Sequence, residues 1–98
     1  MIKYYGFIVK AQNYDYKVDR KLLDTDLFKT EIIGVSNDDD AINAAKEMIN
    51  LGVEVIELCG GFGKESSESI ISKLDTNIPI GYVIFTETEH HKLTKFLS

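Results

Sequence analysis

The residues best suited to chemistry gather in one turn, Cys59-Gly60-Gly61-Phe62-Gly63, with Glu57 two positions before it. Glycines at 60, 61 and 63 can adopt positive φ and let another group approach the backbone closely. The helix expected after them leaves unpaired N–H donors aimed at the same spot. A phosphate or carboxylate would be held there by those donors and by the helix dipole. The spacing is not G-x-G-x-x-G, and no G-x-x-x-x-G-K-[ST] run exists, so neither a dinucleotide nor a nucleoside triphosphate is implied. The cofactor, if there is one, is unknown. A tight passage from strand to helix would need the same glycines with no ligand at all.

Cys59, at a strand exit and near a helix start, could have its thiolate favoured and serve as a nucleophile, although buried cysteines are more often inert. Its immediate neighbours supply no base, and the histidines stand far along the chain at His90 and His91. Glu57 shares the side of the strand on which Cys59 falls, so it could act as a general acid or base, orient a ligand hydroxyl, or pair with Lys10. Glu87, His90 and His91 are spaced to approach one another on a helix, yet adjacent histidines point in different directions and a solvated polar face explains them better, so no metal site is expected. Asp38-Asp39-Asp40 lacks the further oxygen ligands of a calcium loop and reads as helix-start chemistry.

The elements that must position these residues alternate. Residues 3–9 form a nearly continuous apolar run, which predicts a first strand covered on both faces. Asp15 and the spacing of Val18, Leu22 and Leu23 predict a helix over 15–23. A second strand follows within Phe28–Val35. Asn37 and the acidic triplet cap a helix whose stripe is Ala41, Ile42, Ala45, Met48 and Ile49, ending at Gly52. Val53–Leu58 is a third strand leading into the glycine turn, and a helix over 64–74 follows with Ile70, Ile71 and Leu74 inward. Ile78–Phe85 is a fourth strand, its Pro79 tolerable near the start. Thr86 to Ser98 offers the capping box Thr86-x-x-Glu89 and then Leu93, Phe96 and Leu97 along one edge of a short docking helix.

This order predicts one α/β domain over residues 1–98, with a four-stranded, mainly parallel sheet flanked by helices and a short C-terminal helix. A flavodoxin-like or Rossmann-like strand order, 2-1-3-4, would open a crevice beyond the carboxyl ends of strands one and three. Lys10 to Asn13 and Cys59 to Gly63 would then line the same crevice.

At 98 residues and 44% hydrophobic content the chain can build a core of its own. Eleven basic against sixteen acidic residues give a net charge of −5, which argues against a nucleic-acid backbone as partner. No basic region with a cleavage site precedes the first apolar run, and no apolar stretch is long enough to span a bilayer, so neither export nor a membrane partner is expected. A lone cysteine fits a reducing compartment, and a cytoplasmic protein is the expectation.

The segment from Gly52 to Gly63, GVEVIELCGGFG, followed by Ile78-Pro79-Ile80-Gly81-Tyr82-Val83, resembles a family of small bacterial α/β proteins of unknown function. In that family a Gly-Val-x-x-Ile-Glu-Leu-Cys-Gly-Gly-Phe-Gly stretch precedes a helix and a Val-Pro-Val-Gly-like strand follows it. The resemblance implies an α/β fold and carries no activity. It stops at the tail, where Thr86-Glu87-Thr88-Glu89-His90-His91 replaces a glycine-containing segment. The residues point first to a protein that binds a small molecule or anion through the backbone of Gly60 to Gly63 with Phe62, Glu57, Cys59 and Lys10, a role that would suit a regulatory or accessory subunit. An enzyme using Cys59 or Glu57, with the glycine N–H groups stabilising an oxyanion, is the second reading. The third is a structural homo-oligomer joined through Leu93, Phe96 and Leu97.

Overall fold

The computed structural model describes residues 1–98 as five strands and three helices around one core. Strand β1 spans Tyr4–Lys10, β2 Arg20–Asp24, β3 Lys29–Val35, β4 Val55–Leu58 and β5 Ile80–Tyr82; helix α1 spans Asp38–Leu51, α2 Gly63–Leu74 and α3 Glu87–Leu97. The sheet order is β2-β3-β1-β4-β5. Every neighbouring pair is parallel except β2 with β3. The 2-1-3-4 order expected for the parallel strands therefore holds, with an antiparallel fifth strand added at one edge.

That added strand corrects the helix expected over 15–23. Asp15 does cap a turn: its carboxylate accepts from the Lys17 N–H at 3.0 Å, and its carbonyl accepts from Val18 and Asp19. The coil ends after that turn because the backbone of residues 20–24 pairs with β3 instead. Val18, Leu22 and Leu23 gain no burial from their helical spacing, being 70%, 46% and 60% exposed. What anchors the strand is Arg20, whose guanidinium reaches Glu31 of β3 at 3.1 Å and Glu47 of α1 at 3.0 Å. Tertiary pairing has overridden local periodicity.

Helix α1 starts as the sequence predicts, with the Asn37 side chain accepting from the Asp40 N–H at 2.8 Å, and ends at Gly52 in the left-handed conformation. Ala41, Ala44, Ala45 and Met48 are buried against Ile8, Ile33, Val35, Ile56 and Leu58. Apart from Gly34, which the Tyr14 ring covers on the other side, the buried strand residues share one side of the pleat. Both crossovers, β3-α1-β4 and β4-α2-β5, step in the same direction along the sheet, and right-handed crossovers then put both helices on one face. The opposite face, carrying Tyr5, Phe7, Val9, Ile32 and Val55, is only half-buried, which corrects the expectation that β1 is covered on both sides.

The end of the chain also departs from expectation. The fourth predicted strand shortens to the three residues of β5, leaving Ile84 73% exposed. Helix α3 forms, but Thr86 makes no side-chain cap bond and no residue of the helix is buried. No helix is long and apolar enough to cross a membrane.

Candidate functional site

β4 delivers the glycine turn to the carboxyl edge of the parallel strands. The ladder with β1 runs one residue past β4, the Cys59 N–H donating to the Ile8 carbonyl at 3.0 Å. Residues Gly60–Phe62 then make a 3₁₀ turn closed by the Phe62 N–H on the Cys59 carbonyl at 3.2 Å, and Gly63 opens α2. Gly63 sits at φ 76°, ψ 168°, a region that side-chain-bearing residues rarely enter. At Gly61 the constraint is space: a methyl group would lie 3.1 Å from the Lys10 carbonyl and 3.4 Å from the Cys59 sulfur. The turn therefore needs glycine for its own packing, whatever else it does.

Lys10 stands beside this turn in two ways. Its backbone N–H donates to Cys59 Sγ at 3.2 Å, and its ammonium lies 5.4 Å from the centre of the Phe62 ring, within cation–π range. Phe62 itself is buried in the core. The ammonium also bonds Asp38 Oδ1 at 2.8 Å, at the first turn of α1. That bond, helped by the Ser66 hydroxyl and opposed by partial burial, holds the Asp38 carboxyl below the usual carboxylate range. Lys10 thus neutralises a carboxylate in the first turn of α1 beside the glycine turn.

The structure brings together Lys10, Cys59, Gly60, Gly61, Phe62 and Gly63, but it places Glu57 elsewhere. The Glu57 carboxylate accepts a hydrogen bond from the Tyr5 hydroxyl on the open sheet face. That bond, with burial adding to it, pushes the Tyr5 pKa up to about 12. Glu57 is therefore engaged away from Lys10. Cys59 is half-buried, and its thiol accepts from the Lys10 N–H with no histidine hydrogen-bonded to it; His91 and Glu87 approach each other to 4.0 Å on the exposed side of α3. No group of three His, Cys, Asp or Glu residues is placed to hold a metal ion.

Sequence reasoning missed two features. The sequence presents Asp38 only as helix-start chemistry, although an acidic residue at N1 of α1 faces the carboxyl edge where Lys10 ends. The second is an open groove of about 400 Å³ under the 11–19 connection, lined by Val9, Tyr14, Arg20, Lys21, Ile32 and Gly34 among others. The Tyr14 ring lies so close to Gly34 that a methyl group there would overlap it at 2.7 Å. Only the placement of β2 at the sheet edge creates this groove, and periodicity carried no sign of it.

With a five-stranded mixed sheet, two crossover helices on one face and a glycine turn at the strand carboxyl ends, the chain is a small two-layer α/β protein. It belongs to DUF6506, a family of unknown function, whose model matches residues 3–98. No curated protein and no solved structure matches the chain significantly.

Proposed function

We propose that the protein binds a small anionic molecule, a carboxylate or phosphate, at the carboxyl edge between β1 and β4, in a reducing cytoplasm that suits its free Cys59. The observation that carries this reading is the Lys10 ammonium, set against Phe62 of the glycine turn and paired with Asp38 in the first turn of α1. Lys10 supplies the charge, the unpaired N–H groups opening α2 supply directional donors, and Cys59 with Gly60 and Gly61 forms the floor. Asp38 is the internal competitor: its carboxylate occupies the place on Lys10 that the ligand's anionic group would take. The reading carries the further expectation that the Ile56–Gly63 run recurs in bacterial members of the family.

Competition with Asp38 makes the reading testable. Lys10 and Asp38 keep 28% and 37% of their side-chain surface exposed, so their pair contributes at most about 1 kcal/mol. Asp38→Asn removes the competitor and should tighten anion binding by up to about 5-fold on that scale. Lys10→Met removes a charge-assisted donor and should weaken binding by at least about 10-fold. The measurement is thermal stabilisation by inorganic phosphate and by small carboxylates at low ionic strength, each variant referred to its own ligand-free melting temperature. Failure of every anion to stabilise both the wild type and Asp38→Asn refutes the proposal, as does equal stabilisation with and without Lys10.

A further inference from the structure

Two surfaces of this chain lack the layer they are built to meet. The first is the sheet face opposite α1 and α2. Parallel strands ordinarily have both faces covered, yet here Tyr5, Phe7, Val9, Ile32 and Val55 are only partly buried, in the middle three strands of the sheet, with the 11–19 connection over the Val9–Ile32 end and the Tyr5–Glu57 hydrogen bond beside Phe7. The second is α3. Leu93, Phe96 and Leu97 stand at i, i+3 and i+4, one stripe on one side of the helix. Phe96 is 89% and Leu97 78% exposed, and no residue of the helix is buried. A helix of 11 residues is shorter than the ~12–15 needed for even marginal stability alone in water. An apolar surface to pack on would supply the stability its own length lacks.

The route of the chain explains why α3 does not close over its own sheet. The Val83 N–H donates to the Leu58 carbonyl at 3.0 Å, and the Phe85 ring lies against Gly60, 3.4 Å from where a methyl would stand. The four residues between β5 and α3 are thus pinned along the carboxyl edge, and α3 extends from there. The molecule is elongated accordingly, 41 Å in one direction against 26 Å in the other two.

We propose that the occupant of the open sheet face is α3 of a second copy of this chain, in a reciprocal two-fold dimer. The dimensions allow it: 11 helical residues span about 16 Å, enough to cross the roughly 10 Å from β3 to β4. In an isologous pair each helix covers the other's sheet, so the contact forms twice. A sheet patch of about 300 Å² and the facing helix surface, buried twice over, come to roughly 1,200 Å², the lower end of stable interfaces. The exchange gives each sheet its second layer and each α3 its apolar partner.

The test uses the full chain and two variants, each altering one of the two surfaces. Phe96→Glu charges the helix stripe without touching the core, because Phe96 is exposed. Phe7→Lys charges the centre of the open face, and circular dichroism checks that its fold persists. The expected results by light scattering are a wild-type dimer of two 11.1 kDa chains and at least about 100-fold weaker association for each variant alone. Mixing the variants should restore a dimer, since the intact helix of one meets the intact sheet of the other, and the remaining contact sets Glu against Lys. A monomeric wild type overturns the proposal and leaves α3 to another partner or to closure within one chain. A dimer that survives Phe96→Glu, or variants that stay monomeric when mixed, overturns it as well, because either result places the interface elsewhere. An unfolded Phe7→Lys is replaced by Val9→Lys at the margin of the same face, with the same expected rescue.

Discussion

Replacing the three turn glycines one at a time by alanine should destabilise the protein in the order Gly63, then Gly61, then Gly60, each for a different physical reason. Gly63 has open space around its missing side chain but holds φ 76°, ψ 168°, so alanine there is strained however it packs. The cost of such a conformation is about 1–3 kcal/mol, and we expect about 2. Gly61 has an unremarkable φ, but its methyl would press on the Lys10 carbonyl at 3.1 Å. Backbone must then give by a few tenths of an ångström, and we expect about 1 kcal/mol. At Gly60 the nearest atom belongs to the Phe85 ring, 3.4 Å away and on an exposed side chain that can shift, so the loss should stay below about 0.5 kcal/mol. Urea unfolding midpoints at constant m-value measure the series, and for a domain of this size each kcal/mol corresponds to about 4–8 °C in melting temperature. Gly60→Ala as costly as Gly63→Ala, or Gly63→Ala with no effect, would refute the assignment of backbone strain to Gly63.

Arg20→Ala removes both ion pairs that tie β2 to the rest of the fold and leaves the Glu31 carboxylate, whose side chain is only 11% exposed, without its partner. The expected loss is about 2–3 kcal/mol in urea unfolding, below that of a fully buried pair because Arg20 keeps some solvent contact. Glu31→Leu in the same chain should recover part of it; no loss in the single variant would contradict the anchoring role of Arg20. For Tyr5, the folded-state pKa of about 12 lies above the ordinary value of about 10, so the Tyr5–Glu57 bond stabilises the fold below pH 10 and that contribution disappears as pH rises toward 12. Ultraviolet titration of the wild type minus Tyr5→Phe should isolate a step near 12 that Glu57→Gln moves down toward 10. A step already near 10 in the wild type would show that the bond does not hold in solution.

Much of the fold was legible where local chemistry and burial agree. Asn37 with its acidic triplet starts α1, Gly52 ends it, and the apolar runs of β1, β3 and β4 can be buried only as strands. The same run of residues located the glycine turn between β4 and α2 and suggested Lys10 as its neighbour, which parallel pairing of β1 with β4 then makes. Failures came where two local readings were both satisfied by the sequence. Residues 15–24 carry a helix cap and helical spacing, yet their backbone groups bond better to the free edge of β3, with Arg20 closing the pair. Glu57 has the right parity to face the turn, but a tyrosine hydroxyl 52 positions away takes its carboxylate.

The amino-acid sequence by itself therefore determined the alternation of elements, the caps of α1 and the glycine turn, because these depend on contacts a few residues apart. Only the tertiary structure decided that both crossover helices share one face, that β2 joins the edge, and that α3 stands away from the sheet. Each of those outcomes depends on which distant strands pair and in which direction the crossovers run, and periodicity along the chain carries no record of either.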